Sequence, residues 1–201
     1  MKTEHTLKKL AYIFALSLCV LMIVLFIKSE PREAVFALFL AVLVHEAGHI
    51  IALLLAGESI KGALFLPFGV LLRARFSCSY LCEALIYLAG PAASIISALA
   101  AFLFVKGASA PSFALYYFVV SLGLGLFNLC VLPGLDGRCA LGAVLLCFCD
   151  DIGRVNGILR ALEGVFCALF FLFFGGVWLA TGELSYPMLM GVLFIIRYIC
   201  G

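Results

Sequence analysis

Long apolar runs, separated by short segments that hold most of the charges, dominate the pattern of this sequence. A helix needs about 20 apolar residues to cross the hydrocarbon core of a membrane. Six runs reach or approach that length, at residues 10–27, 34–57, 81–105, 112–132, 155–181 and 184–200. The pattern therefore predicts an all-α, polytopic membrane protein with about six transmembrane helices.

The composition excludes several other classes of protein. Hydrophobic residues make up 66% of the chain and charged residues 12%, whereas soluble domains have about 45–50% and about 25%. A net charge of +2 without a basic cluster gives no reason to expect a nucleic-acid partner. The nine cysteines lack the spacing of a structural zinc site and lie mostly in apolar runs, so we interpret them as reduced thiols.

The chain shows no internal repeat, low-complexity tract or linker, and we expect a single domain over residues 1–201. Residues 34–140 form the predicted core. Residues 1–33 contain an N-terminal anchor span, because their apolar run exceeds the roughly 7–15 residues of a signal peptide. Residues 150–201 contain two C-terminal spans.

Loop charges predict the orientation of the spans. With the N-terminus in the cytoplasm, most of the 13 Lys and Arg residues fall on the cytoplasmic side. Only Lys28, Arg32 and Lys106 face outward. This bias agrees with the positive-inside rule, so we expect a multi-pass membrane protein with both termini in the cytoplasm.

Three ionisable residues, His45, Glu46 and His49, lie in the middle of the second span. Positions four apart share one face of a helix, so His45 and His49 can bind a single Zn²⁺. Glu46 lies near that face and can act as a general base on a water molecule that zinc activates. The alternative is a polar cluster bonded to neighbouring helices, which would bury a carboxylate beside two imidazoles without a metal.

A catalytic zinc site usually has three protein ligands, and Asp136 is the predicted third. It follows the fourth span, where Pro133 and Gly134 break the helix within apolar sequence. Broken helices at membrane depth are tolerated where they line a cavity. A helix N-cap is an alternative role for Asp136 and does not exclude ligation. Glu163, by contrast, is interpreted as the i,i+3 partner of Arg160 at the entry of the fifth span.

The motif over His45–His49, together with Leu135–Gly137 on a later span, resembles the site-2 protease family of intramembrane zinc metalloproteases. The segment Ala89–Ser94 is similar to an Ala-Gly-Pro segment of that family, and Asn128 matches the asparagine that precedes the family's aspartate. The resemblance covers residues 34–140. The chain looks most like the short bacterial branch that processes a sporulation sigma-factor precursor.

The resemblance implies a metalloprotease that hydrolyses a peptide bond within or next to a transmembrane segment of a membrane-bound protein. Zinc would be bound by His45, His49 and Asp136. Glu46 would be the general base, and Asn128 would contact the substrate backbone or the developing oxyanion. The implied location is the bacterial cytoplasmic membrane. The implied partner is a membrane protein substrate, and an accessory membrane inhibitor or a second copy of the chain is a further candidate.

The segment 62–76 resembles a loop of the family that dips into the membrane near the active site; the alternative is a short interfacial hairpin packed on the bundle. The chain also departs from the family pattern. Val131 and Gly134 occupy positions where the family often has proline, and Ser94 replaces a frequent asparagine. Pro133 still supplies a helix break, so we expect the geometry to be kept.

Two other functions remain open. One is a membrane zinc protease whose third ligand is a glutamate on a later helix, but neither Glu163 nor Glu183 has that setting. The other is a non-proteolytic zinc-binding membrane protein, either an inactive protease relative acting as a chaperone or a metal carrier. A carrier would have further His or acidic residues along a path, and an inactive relative would have lost Glu46 or a ligand.

Overall fold

The structure is a computed structural model that describes residues 31–58, 60–66, 69–74, 77–105 and 112–181. The predicted first and sixth spans, at 10–27 and 184–200, lie outside these residues. The described part contains five helices and one two-stranded hairpin. In chain order they are α1 (Arg32–Leu55), β1 (Ile60–Leu66), β2 (Gly69–Ala74), α2 (Tyr80–Val105), α3 (Ser112–Asn128), α4 (Asp136–Leu146) and α5 (Ile152–Thr181).

Helices α1, α2, α3 and α5 agree with predicted spans, whereas the short α4 lies between the predicted fourth and fifth spans. Helices α1, α2 and α5 are long and apolar enough to cross a membrane, and α3 is shorter, with 17 residues. The predicted break before Asp136 is confirmed, but α3 already ends at Asn128, before the predicted end of the fourth span at residue 132, and α4 begins only at Asp136. A largely helical membrane protein is thus confirmed, and the count of six spans stays a prediction.

An antiparallel hairpin connects α1 to α2. Its strands β1 and β2 pair from Ile60 opposite Ala74 to Leu66 opposite Gly69, with an irregularity between Ile60 and Gly62. The predicted loop at 62–76 therefore takes the form of a hairpin where the structure describes it. Its strands pair their backbone groups with each other.

Helix α1 buries one narrow stripe along its length. The buried positions recur every three or four residues and are Ala34, Ala37, Ala41, His45, His49 and Leu53. Small side chains let membrane helices approach closely, and Ala37 and Ala41 pack against Tyr117 of α3. The two histidines continue this stripe, so the bundle interior and not the lipid surrounds their imidazole rings.

Helix α2 occupies the centre of the bundle, in contact with α1, α3 and α4. Its Gly90 is buried against α1, and a Cβ atom at this position would overlap the His49 ring. The missing side chain is what gives the imidazole its space. Helix α5 lies at the edge of the described bundle and packs on α4.

We expect Gly90→Ala to destabilise the fold, because the added methyl group displaces the His49 ring from a closely packed position. Overpacking of this kind costs about 1–3 kcal/mol. Thermal unfolding of the full chain in detergent measures the effect. Gly123→Ala is the matched control, because Gly123 is also helical but a Cβ atom there meets nothing within 4 Å. The control should leave stability unchanged or raise it by up to about 1 kcal/mol, and equal losses in both variants would contradict the assignment.

Candidate metal centre

Three side chains from two helices converge inside the bundle. His45 and His49 lie one turn apart on α1 and are only 5% and 8% exposed. The Nε2 atoms of the two rings are 3.3 Å apart. Oδ2 of Asp136, the first residue of α4, lies 3.0 Å from Nε2 of His45 and 3.2 Å from Nε2 of His49.

This triangle of atoms fits a metal ion. Zinc binds N and O ligands at about 2.0–2.1 Å, so tetrahedral ligands lie about 3.3–3.4 Å from one another. The three observed separations, 3.0, 3.2 and 3.3 Å, are close to one face of such a tetrahedron. Both Nε2 atoms point at the same carboxylate oxygen, Oδ2 of Asp136. One cation can bind the two Nε2 atoms and the carboxylate oxygen together, so these three residues can hold a metal ion.

Helix α2 orients both imidazoles through their other nitrogen. Nδ1–H of His49 donates to the carbonyl oxygen of Ile86 at 2.9 Å. Nδ1 of His45 lies 3.0 Å from Oγ of Ser94. A hydrogen bond of this kind fixes the ring and leaves a lone pair on Nε2 for a metal. In both rings, Nε2 is the atom that points at Asp136.

Ser94 belongs to a buried polar network that joins α2 to α3. Its carbonyl oxygen accepts hydrogen bonds from the hydroxyls of Ser97 and Ser121, each at 3.0 Å. The hydroxyl of Tyr117 donates to Oγ of Ser97, also at 3.0 Å. Ser94 ends the predicted family-like segment and replaces a frequent asparagine there, but its contact with His45 was not predicted. A serine in an apolar helix is a signal for such a role, but the sequence does not reveal the partner.

The turn between α3 and α4 presents Asp136 to the histidines. Gly134 adopts φ +86°, a conformation that favours glycine, and Leu135 occupies the N-cap position without a side-chain capping bond. The alternative role of Asp136 as a helix N-cap is therefore wrong. Asp136 is the first helical residue, and its carboxylate bonds to the two imidazoles and not to the end of its own helix.

The other two predicted site residues are Glu46, which lies beside the cluster, and Asn128, which bonds within its own helix. Glu46 is half-buried beside His45 and interacts electrostatically with His49. Nδ2 of Asn128 donates to the carbonyl oxygen of Leu124 at 3.0 Å, one turn back in α3. A role for Asn128 in contacting substrate stays a prediction.

Glu163 does not pair with Arg160, and that interpretation is wrong. Its side chain is buried and forms an ion pair with Arg138 of α4. Arg160 is exposed, because it lies on another face of α5. The i,i+3 spacing was present in the sequence, but the direction in which the helix packs decided the partner.

The fold is similar to that of a solved structure, the Site-2 Protease from Methanocaldococcus jannaschii. The TM-score is 0.68, with 21% sequence identity over 93% of this chain and 87% of the other. No protein-family model and no curated protein matches the sequence. At this level of identity the likeness establishes a common fold.

We expect Ser94→Ala to weaken metal binding, because His45 loses the group that orients its ring. Such losses reduce metal affinity by about 10–100-fold. Competition between the full-length protein and a chelator for Zn²⁺ measures the change. Ser97→Ala is the matched control: it alters the same network one turn away and keeps the contact with His45. Equal losses in the two variants would assign the effect to the network as a whole and contradict a specific role for Ser94.

Proposed function

We propose that this chain is an intramembrane zinc metalloprotease, which hydrolyses a peptide bond within or next to a transmembrane segment of a membrane-bound protein. The observation that carries the proposal is the convergence of His45, His49 and Asp136 inside a bundle of membrane-length helices, with Glu46 beside them. Similarity of fold to a site-2 protease supports it.

The donor set favours zinc among the common metal ions. Two imidazole nitrogens and one carboxylate oxygen are typical of a catalytic zinc site, which has three protein ligands and one open position. Calcium and magnesium prefer sites built from oxygen alone. Zinc bound by His45, His49 and Asp136 would supply Lewis acidity and lower the pKa of a coordinated water molecule to about 7.

The chain's own residues would position the reactants and move the proton. Glu46 follows His45 directly on α1, so the helix holds its carboxylate beside the metal ligands. This carboxylate would accept the proton of the attacking water and then donate it to the leaving amine. Ile86 and Ser94 would hold the two imidazoles in place throughout.

The hairpin of β1 and β2 is a candidate substrate contact. A peptide bond inside a helix is shielded by its own hydrogen bonds, so a transmembrane substrate must unwind before cleavage. An extended strand can add to the edge of an existing sheet through main-chain hydrogen bonds. We propose that the unwound substrate pairs with the hairpin and that Asn128 contacts its backbone or the developing oxyanion.

The finer assignments follow from sequence and are proposals of the same kind. They are six spans with both termini cytoplasmic, a location in the bacterial cytoplasmic membrane, and a membrane protein as substrate. Placement in the branch that processes a sporulation sigma-factor precursor depends on the sequence resemblance. An accessory membrane inhibitor or a second copy of the chain is a further candidate partner.

We expect Glu46→Gln to stop proteolysis and to leave metal binding intact, because the amide cannot accept the proton and Glu46 is not among the three ligands. General-base catalysis typically contributes about 10²–10⁴-fold to rate. Cells expressing wild type or Glu46→Gln are compared by mass spectrometry of the new peptide termini in membrane proteins. Termini within or beside transmembrane segments should appear with wild type and disappear with the variant.

Two further variants make this result specific. Glu33→Gln removes a carboxylate from the exposed first turn of the same helix and should cleave like wild type. Asp136→Asn should reduce both metal content and cleavage. If Glu46→Gln retains wild-type cleavage, the protease assignment fails and the non-proteolytic metal-binding alternative is favoured.

A further inference from the structure

One acidic residue interrupts the apolar face that α5 presents to the bundle. The buried positions on this face are four residues apart: Val155, Leu159, Glu163 and Cys167. Glu163 is only 4% exposed. A buried carboxylate is costly at membrane depth unless it is paired. Its presence in the middle of this apolar stripe therefore needs a reason beyond packing.

The ion-pair partner of Glu163 is close in sequence to Asp136, a residue of the metal centre. The Glu163 carboxylate accepts a hydrogen bond from Nε of Arg138 and forms an ion pair with it. Arg138 lies in the first turn of α4, two residues after Asp136. A short helix allows little independent motion between these positions, so fixing Arg138 also fixes the start of α4.

Packing of α5 on either side of the ion pair further fixes the start of α4. Cys167, one turn beyond Glu163 on α5, packs with Leu132 in the segment that precedes Asp136. Leu159, one turn before Glu163, lies against Gly142 of α4. Helix α5 thus contacts the chain both before and after Asp136.

The backbone leaves little room for adjustment at this point. Gly137 packs so closely against the backbone of Leu129 that a Cβ atom there would overlap it. The Asp136 carboxylate must reach two nitrogens that are 3.3 Å apart, and small shifts of α4 would break one of these contacts.

We propose that Glu163 is a positioning residue for the metal centre: by holding Arg138, it places Asp136 as the third ligand between His45 and His49. This role rests on the proposed metal site and is independent of proteolysis. It predicts that removing a carboxylate on α5, away from the ligands, weakens metal binding while the protein stays folded.

The test compares Zn²⁺ affinity of the full-length protein in detergent, measured by chelator competition, for wild type and Glu163→Gln. We expect a loss of about 10-fold or more, as for other residues that orient metal ligands. Co²⁺ substitution adds a spectroscopic measurement, because its absorption reports coordination geometry directly. The spectrum of Glu163→Gln should differ from that of wild type, and a purely structural role for Glu163 would not alter it in folded protein.

Two matched variants separate the effect of the position of Glu163 from the effect of its negative charge. Glu83→Gln removes one carboxylate from the cleft of about 210 Å³ that Arg138 also lines, so it controls for the general electrostatic attraction of a cation. It should bind Zn²⁺ like wild type. Arg138→Lys keeps a charge pair with Glu163 and should retain most of the affinity.

If Glu163→Gln does not fold, the double variant Arg138→Gln/Glu163→Gln is tested in its place. The double variant leaves no buried charge unpaired. Weak Zn²⁺ binding by this folded variant supports the proposal. Wild-type Zn²⁺ affinity and an unchanged Co²⁺ spectrum, in folded Glu163→Gln or in the folded double variant, would overturn the proposal. Failure of the wild-type protein to bind Zn²⁺ would overturn the proposed function together with this inference.

Discussion

Polar groups buried in a membrane bundle must find partners, and in this protein the requirement is met where His45, His49 and Asp136 come together. Each polar group left unsatisfied in an apolar environment costs several kcal/mol. The Ile86 carbonyl and the Ser94 hydroxyl pair with the outer nitrogens of the two rings. The inner nitrogens and the carboxylate face one another, and a metal ion satisfies this arrangement best.

Because the chain has few charged residues, each buried polar or charged side chain is informative about the site. Charged residues form only 12% of the chain, and exposed positions account for many of those that the structure describes. Buried polar or charged residues in the described part are His45, His49, Ser94, Ser121 and Glu163. The two histidines bond directly to Asp136, Ser94 orients a ring, Ser121 supports Ser94, and Glu163 holds the helix that begins at Asp136. A single centre therefore accounts for all of these buried groups.

Features that depend on local spacing were predictable from the sequence. Apolar runs located α1, α2, α3 and α5 but not the short α4, and the four-residue spacing put both histidines on one face of α1. Contacts between distant segments were not predictable, because the crossing of helices decides them: the bond between His45 and Ser94 is an example. Glu163 had a suitable partner in Arg160 by spacing alone, but the packing of α5 turned it toward Arg138. The sequence offered a membrane-dipping loop or an interfacial hairpin for the segment 62–76, and the observed strand pairing is compatible with both.

The most direct test of the central claim is X-ray absorption at the zinc edge, combined with metal analysis of the purified full-length protein. The account predicts one zinc per chain, with nitrogen and oxygen ligands alone at about 2.0–2.1 Å and the multiple-scattering pattern of two imidazoles. A first shell containing sulfur at about 2.3 Å, supplied by some of the nine cysteines, would contradict it. So would the absence of stoichiometric zinc from folded protein.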